Sequence, residues 1–201
     1  MKKLESNLTN MMAVLVGVAL ITGSLLAWLN KATEGPRLEQ QALSLSRDMS
    51  VVMGGGHCRE VSVDTLTRSF DARDYTFVVH TLSAADGRPA GKAVETEVLG
   101  YGGPLAVLVG FDNEGKVLGY AIRKTSETPG LGIKADTWFQ HGGKGSIIGR
   151  CPHAEPLAVT KDNGDIDAIT ASTITSRAFL KAVNQAAEVI GNRPLRPSIS
   201  Q

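Results

Sequence analysis

Residues 105–123 read LAVLVGFDNEGKVLGYAIR. A strongly apolar run (105–111) is followed by the turn Asp112-Asn113-Glu114-Gly115 and a second extended run (116–123). Two β-rich runs around a short glycine-containing turn specify an antiparallel hairpin. Working outward on the N-terminal side, residues 76–82 (TFVVHTL) are rich in β-branched side chains, 86–91 (DGRPAG) read as a loop, and 93–99 as another strand. On the C-terminal side, residues 142–145 (GGKG) form a loop in which glycine follows the lysine, which excludes a nucleotide phosphate loop. A late strand is expected from residue 157 to 160, a turn at 161–164 (KDNG), and a return to the sheet over 166–169. Residues 177–190 carry Phe179, Leu180, Val183, Ala187 and Ile190 at helical spacing, with Gly191 and Pro194 as terminators. Antiparallel strands followed by a packed helix define an α+β domain rather than a chain of βαβ units.

Residues 11–29 (MMAVLVGVALITGSLLAWL) hold no charge and no proline. As a helix they span roughly 28 Å, close to the hydrocarbon thickness of a bilayer. Trp28 stands where an interfacial aromatic side chain would. The run is long for a signal peptide and no small-x-small cleavage site follows it, so a transmembrane helix is expected. Lys2 and Lys3 precede it, while Lys31 and Arg37 follow, offset by Glu34, a weak lean toward an inside N-terminus. Leu38, Ala42, Leu45 and Met49 continue at helical spacing, and Gly54-Gly55-Gly56 breaks the pattern. The expected organisation is a short cytoplasmic N-terminus (1–10), a transmembrane helix (11–29), a helical linker (30–56), a folded domain (57–193) and a tail (194–201).

The formal net charge of +1 over 201 residues argues against a nucleic-acid partner. Cys58 and Cys151 fit no haem or iron–sulfur spacing; they either pair or remain two separate thiols. His57, His80, His141 and His153 are scattered without metal-ligand spacing.

Two segments carry chemistry. In Thr170-Ala171-Ser172-Thr173-Ile174-Thr175-Ser176 five of seven residues bear hydroxyls, directly before the amphipathic helix. The unpaired first-turn N–H groups and the helix dipole favour a phosphate there; helix capping alone calls for one or two such side chains. In Ser126-Glu127-Thr128-Pro129-Gly130-Leu131-Gly132 the Pro-Gly pair marks a turn. A third stretch, Gly100-Tyr101-Gly102-Gly103-Pro104, reads as a turn before a strand.

These segments resemble the FMN-binding family shared by the G subunits of Rnf complexes and the C subunits of Na+-translocating NADH:quinone reductases. Residues 167–173 are similar to the family's Asp-x-x-Ser/Thr-Gly-Ala-Thr motif, with Asp167, Ala168, Ile169 and Thr170 at its start and Ala171 and Ser172 standing where the family has glycine and alanine. Residues 127–132 match the Glu-Thr-Pro-Gly-Leu-Gly signature at all six positions, and Tyr101 and Gly102 lie in the equivalent of a Gly-Tyr-x-Gly stretch. The resemblance implies a phosphoester between FMN and Thr173, made by a separate flavin transferase. It also implies a cofactor site built from Tyr101, Gly102, Glu127, Thr128, Pro129, Gly130, Leu131, Gly132, residues 167–172 and Thr175. Leu131 would pack on the flavin ring and Thr128 would donate a hydrogen bond.

The implied function is a redox subunit of an ion-translocating ferredoxin:NAD oxidoreductase complex, relaying electrons through FMN on the outer face of a bacterial cytoplasmic membrane beside partner membrane subunits. The length of the domain is closer to the Rnf protein than to its quinone-reductase counterpart. No residue is expected to be catalytic and no metal site is expected. Two other classes compete: a hydroxyl-nucleophile hydrolase using Ser172 or Thr173, which lacks a Ser-x-x-Lys or Gly-x-Ser-x-Gly setting, and an anchored assembly module without cofactor. Lys161 and Arg177 both lie near the hydroxyl segment; each fits either a phosphate counter-charge or a solvated surface charge.

Overall fold

The computed structural model describes residues 8–56 and 58–191. The chain divides into two units, residues 1–46 and 47–201.

The first unit consists of most of helix α1 (Leu8–Val52). Its stretch Leu8–Thr33 is long and apolar enough to cross a membrane, and none of it is buried inside the protein. That stretch is wider than the expected 11–29 span. Its hydroxyls turn inward: Thr22 donates to the Val18 carbonyl at 2.8 Å and Thr33 to the Leu29 carbonyl at 2.9 Å. Polar side chains that bond back to their own helix can be carried into an apolar run. Lys2, Lys3 and Pro194, used in the sequence reading, lie outside the described residues, as does His57.

The second unit opens with the last turn of α1. Met49, Val52 and Met53 are buried, and Gly54 and Gly55 close the helix with left-handed backbone and N–H bonds to the Val51 and Ser50 carbonyls. Five antiparallel strands follow: β1 (Cys58–Phe70), β2 (Arg73–Ala84), β3 (Pro89–Leu99), β4 (Pro104–Phe111) and β5 (Val117–Thr125). They lie side by side in sequence order, a meander. The hairpin at 105–123 is β4–β5, with Val109 opposite Tyr120. β3 begins at Pro89, inside the stretch expected to be a loop.

β1 is absent from the sequence reading. Its 13 residues are mostly polar and mostly exposed, and β2 is its only sheet neighbour among the described residues. Its brief alternation, Val61 and Val63, is exposed rather than buried; β2 recruits the strand through a hairpin whose turn residues, Asp71 and Ala72, both hold left-handed backbone.

The late strands are a correction. Residues 157–160 and 166–169 do not enter the five-stranded sheet; they share one parallel bridge, Val159 to Ile166, around the short 3-10 turn Thr160–Asp162. Their apolar residues are buried as the pattern required, Val159, Ile166 and Ile169 among them. Their backbone groups, however, bond to each other: Thr160 N–H to the Ile166 carbonyl and Ile166 N–H to the Ala158 carbonyl.

Helix α3 (Thr173–Gly191) lies across one sheet face. Phe179 stacks on Phe139 at 4.5 Å between ring centroids and meets Tyr120 edge-on at 4.7 Å. The buried Tyr120 hydroxyl donates to the Ala135 carbonyl at 2.6 Å and accepts from the Phe139 N–H. Burial pushes its phenol well above the usual range. These partners sit in and beside the short helix α2 (Ala135–Trp138). On the opposite sheet face, Gly110 and Gly119 make room for Val52: a side-chain carbon at Gly110 would stand 2.1 Å from the Val52 carbonyl oxygen. Asp48 pairs with Arg123 at 2.5 Å. Both cysteines are free.

Candidate functional site

Two arms converge beside the start of α3. The first comprises the β3–β4 connection, residues 100–103, and the segment after β5, residues 126–132. Pro129 and Gly130 take the central positions of a turn closed by the Leu131 N–H on the Thr128 carbonyl, and Gly130 supplies the required positive φ of 76°. Glu127 is 5% exposed, and its Oε1 accepts the Tyr101 N–H at 2.7 Å. Side-chain carbons at Gly100 and Gly132 would lie 2.1 and 2.5 Å from its two carboxylate oxygens. Gly102 rests on the Ser126 carbonyl in the same way. The glycines therefore let two loops close around a carboxylate, and that carboxylate ties them together.

The second arm is residues 167–176. Trp138 Nε1 donates to the Asp167 carbonyl at 2.7 Å and fixes its entry. Ile169 is buried in the core. Ala171, standing in the family's glycine position, has φ of 61°, so the turn keeps a glycine-like backbone with an alanine in it. α3 then begins at Thr173, four residues before the sequence-predicted start. Serine and threonine are indifferent helix formers, but the buried Ser176 hydroxyl accepts the Ile169 N–H and donates to the Ser172 carbonyl, both at 2.9 Å. One member of the hydroxyl cluster is thus a structural clasp. Thr175 and Ser172 are buried, Thr173 is half-buried and Thr170 is exposed.

Between the arms lies a cavity of about 370 Å³. Tyr101, Glu127, Thr128, Leu131 and Gly132 line one side; Ala171, Ser172, Thr173, Ile174 and Thr175 line the other. Of the residues singled out in the sequence, Gly102, Pro129, Gly130, Asp167, Ala168, Ile169 and Thr170 are not in this lining; they shape the turns or anchor them in the core. Ile174 is an addition. It is exposed, yet it is the second residue of a helix whose neighbours on both sides carry hydroxyls, a position that projects beside them.

Charge is distributed unevenly here. Lys161 Nζ donates to Thr173 Oγ1 at 3.4 Å. Arg177, one turn along α3, is forked onto Asp162 with bonds of 2.7 and 2.6 Å. This hydrogen-bonded pairing holds the Asp162 carboxyl below the usual range and Arg177 above its own. Among the described residues no group of three His, Cys, Asp or Glu side chains is arranged to hold a metal ion.

One wall of the cavity is rich in hydroxyl oxygen at a helix start, and the other offers Tyr101 and Leu131 beside a polar turn. That combination fits a molecule with a phosphate at one end and a flat apolar ring system at the other. Such a domain, behind a helix long and apolar enough to cross a membrane, defines a flavin-binding protein as the class, and a family profile described as the FMN-binding domain matches residues 100–188, the segment holding both arms. The chain is 34% identical over 187 residues to the G subunit of an ion-translocating oxidoreductase complex from Shewanella amazonensis, covering 86% of this chain and 83% of that one. A protein of the same description from Photorhabdus laumondii is 32% identical over 182 residues, covering 84% and 83%. The one from Yersinia pestis is 37% identical over 125 residues, covering 60% and 58%. The chain belongs to the family of these proteins, the G subunits of ion-translocating oxidoreductase complexes.

Proposed function

We propose that this chain is the electron-transfer subunit of an Rnf-type ion-translocating oxidoreductase and carries its FMN as a phosphoester on Thr173. FMN, once bound, supplies one- or two-electron exchange. The chain's own residues do the rest. Tyr101 and Leu131 offer apolar cover for the ring, Thr128 presents a hydroxyl and turn backbone to its polar edge, and the start of α3 receives the phosphate. A phosphoester keeps the carrier from leaving while the ring stays reactive.

The observation that carries this reading is the position of Thr173. It is half-buried, first in its helix, and lines the cavity on the side opposite the Glu127–Gly132 turn. The buried Ser176 is committed to backbone bonds, and Thr170 is not in the lining. The description of the relatives as G subunits favours the Rnf reading over the quinone-reductase counterpart, and the FMN-binding profile disfavours both a hydrolase and a cofactor-free module. In this reading a flavin transferase loads the chain, α1 anchors it with a single pass beside its partners, and the domain faces the outer side of the cytoplasmic membrane.

A denaturing gel viewed under ultraviolet light tests the attachment. Co-expressed with a flavin transferase, the chain should give a fluorescent band and Thr173→Ala should give none. A band of equal brightness in the variant would reject Thr173 as the attachment residue.

A further inference from the structure

Two cations stand near Thr173, and the geometry gives them different tasks. Arg177 is on the same helix one turn away, the position from which a long side chain reaches back toward the N-terminus. Its guanidinium is instead forked onto both carboxylate oxygens of Asp162. A charge-assisted pair of this kind is planar and directional, so turning Arg177 toward an anion would break two bonds. Lys161 precedes Asp162 on the same 3-10 turn. Its ammonium has no carboxylate within ion-pair distance among the described residues, and it donates to Thr173 Oγ1 at 3.4 Å. A bond of that length to a neutral hydroxyl is weak.

We infer that Lys161 is the counter-cation of the phosphate held at Thr173, and that Asp162 reserves Arg177 for bracing the turn that carries Lys161. The inference rests on the flavin reading of this cavity. A phosphate at Thr173 Oγ1 would put anionic oxygens beside an ammonium already aimed at that atom. A lysine is suited to this place as a compact point charge with three rotatable donors, which follows the anion without demanding a fixed fork. The 3-10 turn Thr160–Asp162 fixes where the ammonium originates: the Asp162 N–H bonds the Val159 carbonyl at 2.8 Å, and Arg177 holds the turn to α3 through Asp162. Lys161 is thus a positioning residue for the phosphate end, with no part in the chemistry of the ring.

The test compares FMN with riboflavin, which has the ring and lacks the phosphate, as ligands of the full chain in detergent, expressed without a flavin transferase. Wild type should prefer FMN. Lys161→Gln should lose about tenfold in FMN affinity, the weight of one charge-assisted contact, and leave riboflavin affinity unchanged. Lys161→Arg should restore most of the FMN affinity. Arg177→Gln, which removes only the brace, should cost FMN less affinity than Lys161→Gln does and leave riboflavin affinity unchanged. Selective loss of FMN in Arg177→Gln with Lys161→Gln unchanged would give the phosphate to Arg177 and overturn the inference while leaving the flavin site intact. A chain that binds neither flavin here, and that gives no fluorescent band when made beside a flavin transferase, would remove the flavin reading itself.

Discussion

The two arms of the cavity are built on opposite principles. The arm of residues 100–103 and 126–132 is made by missing side chains: Gly100, Gly102 and Gly132 leave no room for a single carbon, with the buried Glu127 carboxylate against Gly100 and Gly132 and the Ser126 carbonyl against Gly102. The arm of residues 167–176 is made by surplus side chains, a run of hydroxyls of which Ser176 is consumed in folding while Thr173 faces the cavity. The first arm is a rigid mould and the second a chemical handle. Substitutions in the mould should therefore act through stability and flavin fit together, whereas substitutions in the handle should remove attachment and leave the fold.

Substitutions at three positions test that contrast. The largest effect is expected from Gly132→Ala, whose new carbon would meet Glu127 Oε2 at 2.5 Å and Glu127 Cβ at 2.7 Å. Overpacking of this kind costs about 1–3 kcal/mol, readable as a lowered denaturant midpoint of the detergent-solubilised chain, and flavin content should fall with it. An unchanged midpoint would mean that the mould is looser than its geometry. Glu127→Ala comes next: it strands the Tyr101 N–H, at a cost of about 1–3 kcal/mol, while Glu127→Gln keeps an acceptor and should retain most of the stability. Equal damage from both variants would show that the negative charge, rather than the hydrogen bond to Tyr101, holds the loops. The smallest change has the opposite sign. Ala171→Gly should stabilise the chain by up to about 1 kcal/mol, because glycine adopts the left-handed backbone without the strain of a Cβ. Loss of stability there would mean that the greater freedom of glycine in the unfolded chain outweighs the relief.

The sequence was readable wherever one local signal fixed the outcome. The β4–β5 hairpin followed from its turn, and the buried face of α3 from Phe179, Leu180, Val183 and Ala187. Both arms were legible through the residues of their motifs. What was missed depended on tertiary partners. β1 is mostly polar and exposed, so its pairing with β2 left only the brief trace of Val61 and Val63. Val159 and Ile166 look like strand residues because they are buried, yet their backbone groups close on their own segment. The start of α3 was misplaced because Ser176 contributes to the helix through a hydrogen bond to Ile169, seven residues back. Glu127 lines the cavity, but its bond to Tyr101 spans 26 positions and has no signature in either motif.

The central claim is that the phosphate of FMN is bonded to one particular oxygen. Mass spectrometry of the proteolytic fragment containing Thr173, from chain made beside its transferase, tests it most directly. The account predicts an added mass equal to FMN less one water, with fragment ions assigning it to Thr173. The same fragment at its unmodified mass, or the addition assigned to Thr170 or Thr175, would contradict it.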